Sequence, residues 1–559
     1  RYKDAAFLTG VGEYQIGNAA QFSQVWDVTD PYFITNKVNE GNASSIAFKQ
    51  TMGKKREYVA INPNNYFTPV KIANSSVGNQ DLKGTIFKDE SGAFKDVDYI
   101  IITAPFLIQP ALRLANHHKN LQGLNVKVVT TDRIYEEFSS GKQDIGAIRN
   151  FIRYVYYNAS DPSKRIKYVG IMGDASIDYK SRLYNNNNIV PTFNVVSGTS
   201  ESNSFMSDDF FGNMDPNEGT IGGASYDEDG NKKSDIDRLD IAMGRIVVDN
   251  VSLANAMVDK VINYTSKNSY GNWRTNFVLI SDDVDKPSER TLQESLDALG
   301  DEISTEKPFV NVKKIHSDAF QQQTSAGGNR YPDVNDAIVS AIDVGAIIMN
   351  YFGHGGEDGL AHEAIYTKET AQELKNKNNL PCIVTVTCEF SKFDNPLRIT
   401  AGELTYQNRE GGAISMVTTT RAVTITVGID FNKQLAPPLF GYGMDVPPPP
   451  AEALRIAKNG VSSTQRRVIF YIGDPAMPLA FPKKDIRITK LNGVPISQAT
   501  DTLKALSKVK FEGEVINEFG QVMTDYNGIL EAKLFDKNVM RRTLDNDGHG
   551  IYMDFITLG

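Results

Sequence analysis

Cysteine is almost missing from this chain: Cys382 and Cys388 are the two thiols among 559 residues. Two thiols so close together cannot build a framework of bridges, so the core must come from apolar burial. Their scarcity says little about compartment, because exported enzymes often do without disulfides. Basic charge is short as well. Lys and Arg number 59 against 68 Asp and Glu, for a net charge of -9 and a pI near 5.4, and no basic patch stands out. That balance excludes a nucleic-acid binder, which needs a basic footprint. Long apolar runs are absent: none approaches the roughly 18 residues of a membrane span. The opening Arg1-Tyr2-Lys3-Asp4 has neither an initiator Met nor the pattern of a signal peptide, so a processed or trimmed product is expected. What remains is ordinary for a folded protein, with 40% hydrophobic and 23% charged residues. The length suits three or four domains.

Taken in order, the first 92 residues read as β-rich. Residues 21–28 and 32–38 are strand-like, and 45–50 with 56–61 flank Met52-Gly53-Lys54-Lys55 as a hairpin would. From Asp98 the pattern becomes strand, helix, strand: 99–103 and 126–129 are buried strands around an amphipathic helix at 108–121, followed by a helix at 144–157 and a strand at 167–172. His117 and His118 fall on the polar part of that first helix, as solvated residues. Residues 185–237 are rich in Asn, Ser, Gly and Asp and read as loop. Within them Asp227-Glu228-Asp229-Gly230-Asn231 lacks the twelfth-position acid of a calcium loop. A second alternation follows a helix at 252–267: strand 275–281, helix 288–304, strand 309–315, helix 333–343, then the strand before His354. Beyond Cys388, residues 412–417 and 466–472 read as further strands. Pro447 to Pro450 is a stiff spacer, and from Asp485 the alternation at 508–515, 529–535 and 550–555 suggests a β-sandwich.

The chemistry gathers between Gly345 and Asn395. Two apolar runs of a length that suits buried parallel strands end on reactive groups, the first at His354 and the second at Cys388. Function in an open parallel sheet collects beyond the carboxyl ends of its strands. Neighbouring strands ending in His and Cys would therefore bring a thiol to its base. A free cysteine is only a few per cent thiolate at neutral pH, so it needs that imidazole. Gly353, Gly355 and Gly356 let the backbone turn sharply, and the N–H groups of Gly355 and Cys388 could hold an oxyanion. Cys382 starts its strand, the end away from this chemistry. His316 ends a strand without a matching thiol, and His362 competes with His354 but stands in a loop.

The stretch Asn350-Tyr351-Phe352-Gly353-His354-Gly355, with Cys388 closing the next apolar strand, resembles the gingipain-type cysteine peptidases. The likeness runs from about Val97 to Pro482. The run Thr387-Cys388-Glu389-Phe390-Ser391-Lys392-Phe393-Asp394-Asn395-Pro396 is most similar to one branch of that family, the sortases of the bacterial type IX secretion system. The resemblance implies an α/β, caspase-like, three-layer catalytic region in two subdomains, residues 93–270 and 271–484. The β-rich segment 1–92 and an immunoglobulin-like β-sandwich at 485–559 would flank it. It also implies an acidic residue that orients the imidazole just after strand 275–281, where Asp283 is the choice and Asp282 its neighbour. Glu289 and Glu294 are available to select basic side chains.

The activity implied is acyl transfer through a thioester on Cys388, with no cofactor or metal. Water resolving the thioester makes a peptidase, and an amine makes a transpeptidase. A sortase of this branch acts at the outer-membrane surface. It removes the C-terminal sorting domain of exported proteins, joins many of them to lipopolysaccharide, and is held by an outer-membrane barrel protein. A secreted endopeptidase without attachment activity and an inactive surface scaffold are the other readings.

Overall fold

The structure, a computed structural model, describes residues 4–70, 77–197, 204–219, 221, 237–498, 503–504, 506–517, 520–530, 539–544 and 550–555. The Asp227–Asn231 motif lies outside them. The chain forms two units, Arg1–Asn79 and Gln80–Gly559.

The larger unit is built on a ten-stranded sheet. In chain order its strands are β1 (Tyr99–Thr103), β2 (Val126–Thr130), β3 (Tyr168–Met172), β4 (Ala242–Ile246), β5 (Asn276–Ser281), β6 (Asn311–His316), β7 (Ile348–Phe352), β8 (Cys382–Val386), β9 (Ser415–Thr419) and β10 (Ile469–Ile472). Across the sheet they lie in the order β6-β5-β7-β8-β9-β10-β4-β3-β1-β2. Every neighbouring pair is parallel except β9 with β10. The sheet is therefore two parallel blocks set head to tail, and the last strand, β10, returns to the first block. This is the caspase-like α/β arrangement expected from the sequence.

Strands buried on both faces must be apolar throughout, and all five residues of β7 and of β8 are buried. Their side chains alternate between two helical layers. Phe277, Ile348 and Asn350 face the helices Arg290–Glu306 and Ile425–Phe440. Ile280, Met349, Tyr351 and Ile383 face the helix Pro332–Val344 around a small apolar pocket. In the first block, Tyr99 and Ile101 pack in one core with the helix Ile108–Gln122, while Ile100 and Ile102 join another with the helix Ile145–Tyr157.

Three sequence expectations change. His118 is fully buried, because Asp474, just beyond β10, reaches its Nε2, while Nδ1 lies 2.9 Å from Oε1 of Gln122. His117 is half-buried, with Nε2 3.1 Å from the Thr265 hydroxyl. Strand β4 went unread because Arg245 interrupts its apolar run. Arg245 is 0% exposed, donates twice to Asp208 at 2.7 Å, and also donates to the carbonyls of Gly173 and Val190. In the first unit, the strands either side of the Met52–Lys55 turn do not pair with each other. Ser45–Thr51 pairs with Val11–Gly17, and Tyr58–Ile61 pairs with Gln24–Asp27, so that Tyr14, Phe48 and Tyr58 meet in an aromatic cluster.

At the C-terminal end the described strands form two small antiparallel groups, Lys484–Leu491 with Val494–Pro495 and Phe511–Asn517, and Val539–Arg542 with Tyr552–Phe555. Residues 531–535 of the expected strand at 529–535 lie outside the described residues. No helix among the described residues is long and apolar enough to cross a membrane.

Candidate active site

Sheet register places the reactive groups. Phe352 of β7 pairs with Ser281 of β5 on one side and Val386 of β8 on the other. Val384 pairs with Val417 of β9. Two residues past Ser281, Phe352 and Val386 the chain reaches Asp283, His354 and Cys388, beyond the same end of three neighbouring strands. Close packing continues there. A Cβ on Gly355 would lie 2.6 Å from the Thr387 hydroxyl, and one on Gly353 would lie 2.3 Å from the Cβ of Asp282, so glycine is required at both points.

Cys388 is partly exposed and Cys382 is buried. Burial pushes the Cys382 thiol up to about 12, which leaves it inert. The Cys388 thiol is also raised, by burial first and then by the charge of Glu389, against a hydrogen bond from the Val423 backbone that lowers it. It rests as a thiol and needs a base. Glu389, the next residue, has φ 53°, a left-handed conformation that a non-glycine residue holds only when its surroundings fix it.

The imidazole of His354 has its Nε2 3.4 Å from Oε1 of Glu289, and its backbone N–H donates to Asp282 at 2.6 Å. The carboxylate beside the ring is thus Glu289. Asp283 instead accepts from the Tyr331 hydroxyl at 3.1 Å and from Gln322 at 3.3 Å. Glu289 comes into reach because Lys286-Pro287-Ser288 turn the chain sharply after β5, with the Lys286 N–H donating to the other Glu289 oxygen at 3.1 Å. Glu294 makes no contact with the ring. The thiol and the imidazole are not hydrogen-bonded to each other, a common state of such pairs without substrate.

After His354 the chain forms a tight hairpin, Gly355–Gly356 against Gly359–Leu360. The His354 carbonyl accepts from the Ala361 N–H at 2.9 Å, so Gly355 with Leu360 is the next, non-hydrogen-bonded pair of the ladder. Its N–H therefore points away from the hairpin, as an oxyanion donor must. His362 stacks on His354, with ring centroids 5.0 Å apart and planes at 12°, and its Nδ1 lies 3.7 Å from Asp285. His316 is buried with Nδ1 2.7 Å from the Ser281 hydroxyl, and burial pulls its pKa down to about 3.

Behind the ring lies a cluster of acids that the sequence did not reveal. Asp282, Asp283 and Glu363 are all buried, with ligand oxygens within 4.8 Å of one another. Burial raises all three carboxyls first, helped by the charge of Asp283 at Asp282 and Glu363 and by that of Asp285 at Asp283, which takes Asp282 well above its ordinary value and Glu363 to about 7. Such a group can share protons or hold one cation. Ala361 and Ala364, on either side of His362 and Glu363, have φ of 60° and 56°, a second strained stretch at this rim.

The end of β9 fixes the thiol loop. The Thr419 hydroxyl donates to the Thr387 carbonyl at 2.6 Å, the Ser391 N–H donates to the Thr419 carbonyl at 3.1 Å, and Arg421 forms a buried ion pair with Asp394.

The sequence profile of peptidase family C25 matches residues 93–480. Among solved structures, the chain is similar to the Arg-specific cysteine proteinase gingipain R, at 14% identity and a TM-score of 0.52 over 70% of this chain and 81% of that one. The complex of Porphyromonas gingivalis RgpB pro- and mature domains matches at 14% identity and 0.52, over 70% of this chain and 82% of that one. Dimeric latent PorU from Porphyromonas gingivalis matches at 19% identity and 0.49, covering 98% of this chain and 45% of that one. No curated protein matches the chain.

Proposed function

This chain belongs to peptidase family C25, the gingipain-type cysteine peptidases, and from that premise we propose that it transfers acyl groups through a thioester on Cys388. The Cys388 sulfur attacks a peptide carbonyl while its proton passes to His354. The N–H groups of Gly355 and Cys388 receive the oxyanion, His354 returns the proton to the leaving amine, and a thioester remains. Glu289 holds the imidazole from the side and Asp282 holds its backbone. The observation that supports this reading is the register, which ends β7 and β8 side by side at Phe352 and Val386, two residues before His354 and Cys388.

The run Thr387–Pro396 favours a sortase within this family. We propose that the protein acts at the bacterial cell surface on exported proteins, cleaves off their C-terminal sorting domains, and passes the acyl group to an amine on lipopolysaccharide. An outer-membrane barrel protein would anchor it. Two measurements test this. A thiol-reactive peptide probe should label the native protein and not Cys388→Ala, and labelling that survives the substitution refutes the nucleophile. Mass spectrometry of cargo C-termini should find a new amide-linked group, whereas free carboxylates alone would leave a secreted endopeptidase.

A further inference from the structure

The ladder that spaces β7 from β8 stops at Phe352 and Val386, yet His354 and Cys388 lie two residues beyond it. Something other than the sheet must hold the ring and thiol segments at a working distance. The Lys392 side chain touches both. The ammonium of Lys392 lies 3.2 Å from Oε1 of Glu357, in the hairpin that follows His354, and 3.2 Å from Oε1 of Glu389, the residue after Cys388. Lys392 and Glu357 are 13% and 16% exposed, so water screens the pair weakly. Asn395 reinforces the tie by donating to Oε2 of Glu357 at 3.2 Å, and the Glu357 carbonyl accepts from the Ala401 N–H at 2.8 Å. Lys392 also donates its backbone N–H to the Glu389 carbonyl at 3.3 Å, so the left-handed residue beside the nucleophile is held at both ends.

We propose that Lys392 is a positioning residue for the reaction, an ammonium shared by Glu357 and Glu389 that sets the separation of imidazole and thiol. This rests on the reading of Cys388 and His354 given above. Without the ammonium, two half-buried carboxylates face each other across the gap between the two segments, with the half-exposed Arg398, 3.9 Å from Oε2 of Glu357, left beside one of them. Their repulsion opens that gap and frees Glu389 to leave its strained conformation. A role in alignment alone predicts that the bond-forming step suffers while binding does not.

The test uses the full chain and a peptidyl acyloxymethyl ketone, which alkylates a catalytic thiol and separates the inactivation rate constant from the probe's dissociation constant. Lys392→Met should lower the rate constant at least tenfold and leave the dissociation constant within threefold. Lys392→Arg, which keeps the charge and reaches both carboxylates, should recover most of the rate. Glu357→Gln should also slow the step, and adding it to Lys392→Met should cost less than the two single losses combined, as expected for one shared interaction. A Lys392→Met rate constant within twofold of native overturns the proposal, as does a loss seen only in the dissociation constant. If Lys392→Met fails to fold, the Glu357→Gln and Lys392→Arg rate constants decide, since both keep the fold's packing. Cys388→Ala is run alongside: loss of labelling there, with Lys392→Met unchanged, rejects the positioning role and keeps the nucleophile.

Discussion

Replacing Glu289 by Gln asks how the imidazole is held. One oxygen of Glu289 accepts from the Lys286 N–H at 3.1 Å, and the other lies 3.4 Å from Nε2 of His354. The amide keeps the size of the side chain and can keep the first bond through its own oxygen. What it loses is the charge facing the ring. A hydrogen bond to a charged group is worth about 1.5–3 kcal/mol. Here the contact is long and the imidazole is 34% exposed, although Glu289 is only 6% exposed, so the lower end applies. A loss of about 1.5–2 kcal/mol in the transition state corresponds to roughly a 10- to 30-fold slower reaction.

The readout is the second-order rate constant for labelling Cys388 by a peptidyl acyloxymethyl ketone. Glu289→Gln should fall by that factor. Asp283→Asn should change it by less than threefold, because Asp283 bonds to Tyr331 and Gln322 and not to the ring. A tenfold loss in Asp283→Asn with Glu289→Gln within twofold of native would reverse the two assignments and refute the argument from geometry. Glu289→Ala adds a control: it removes the turn bond as well, so it should lose rate and thermal stability together.

The buried charges give two further tests. Glu363 has its folded pKa raised to about 7 by burial first and then by Asp283, so the folded protein binds a proton that the unfolded chain releases near 4.5. Stability from this group therefore falls as pH rises from about 4.5 to about 7, by up to roughly 3 kcal/mol. In metal-free buffer Glu363→Gln should match native at pH 5 and be more stable at pH 8, and a lower urea midpoint at pH 8 would contradict this. His118 acts in the same sense, through its charged form and at higher pH. Burial lowers its pKa, but the charge of Asp474 and the hydrogen bonds to Asp474 and Gln122 outweigh it, so the folded value is raised. The stabilisation is complete below the unfolded value of about 6.5 and is lost as pH climbs through the folded one. Asp474→Asn leaves a buried imidazolium without its anion and should cost about 3–5 kcal/mol at pH 6 and less at pH 9. Equal losses in melting temperature at the two pH values would show that His118 is not charged in the native protein.

Most of the sheet was legible because its strands are short apolar runs between helical periodicities, which leaves few alternative readings. The failures share a cause. Arg245 and His118 are polar residues at 0% exposure, and each is tolerated only because partners distant in sequence satisfy it, Asp208 for one and Asp474 for the other. A local pattern scores such residues as surface. The helix Ile425–Phe440 was hidden for a related reason, since Pro437 and Pro438 suggest a break. The tertiary contacts of Leu435 and Leu439 carry the last turns of that helix. The β-rich first unit misled at the level of pairing, because nothing in a strand's own residues says that its partner is not the next strand along.

At the candidate site, the strand ends that precede the two proposed reactive residues were legible and the polar contacts around those residues were not, and the difference follows from register. β7 and β8 are neighbours in the sheet, so reading the two strands also read that His354 and Cys388 follow adjacent strand ends. Glu289 and Lys392 sit on turns, where one backbone angle redirects a side chain by several ångströms. From the sequence, Asp283 was as good a partner for the ring as any acid after β5. The Lys286-Pro287-Ser288 turn decides otherwise by bringing Glu289 back over the rim, while Asp283 points toward Tyr331. On the proposed mechanism the sheet brings the two reacting segments side by side, and three polar ties outside it, Glu289 to the ring, Lys392 between the segments and Arg421 to Asp394, align them. Substitutions in the ties should therefore slow the chemistry in steps of about ten- to a hundredfold, whereas loss of Cys388 should abolish it.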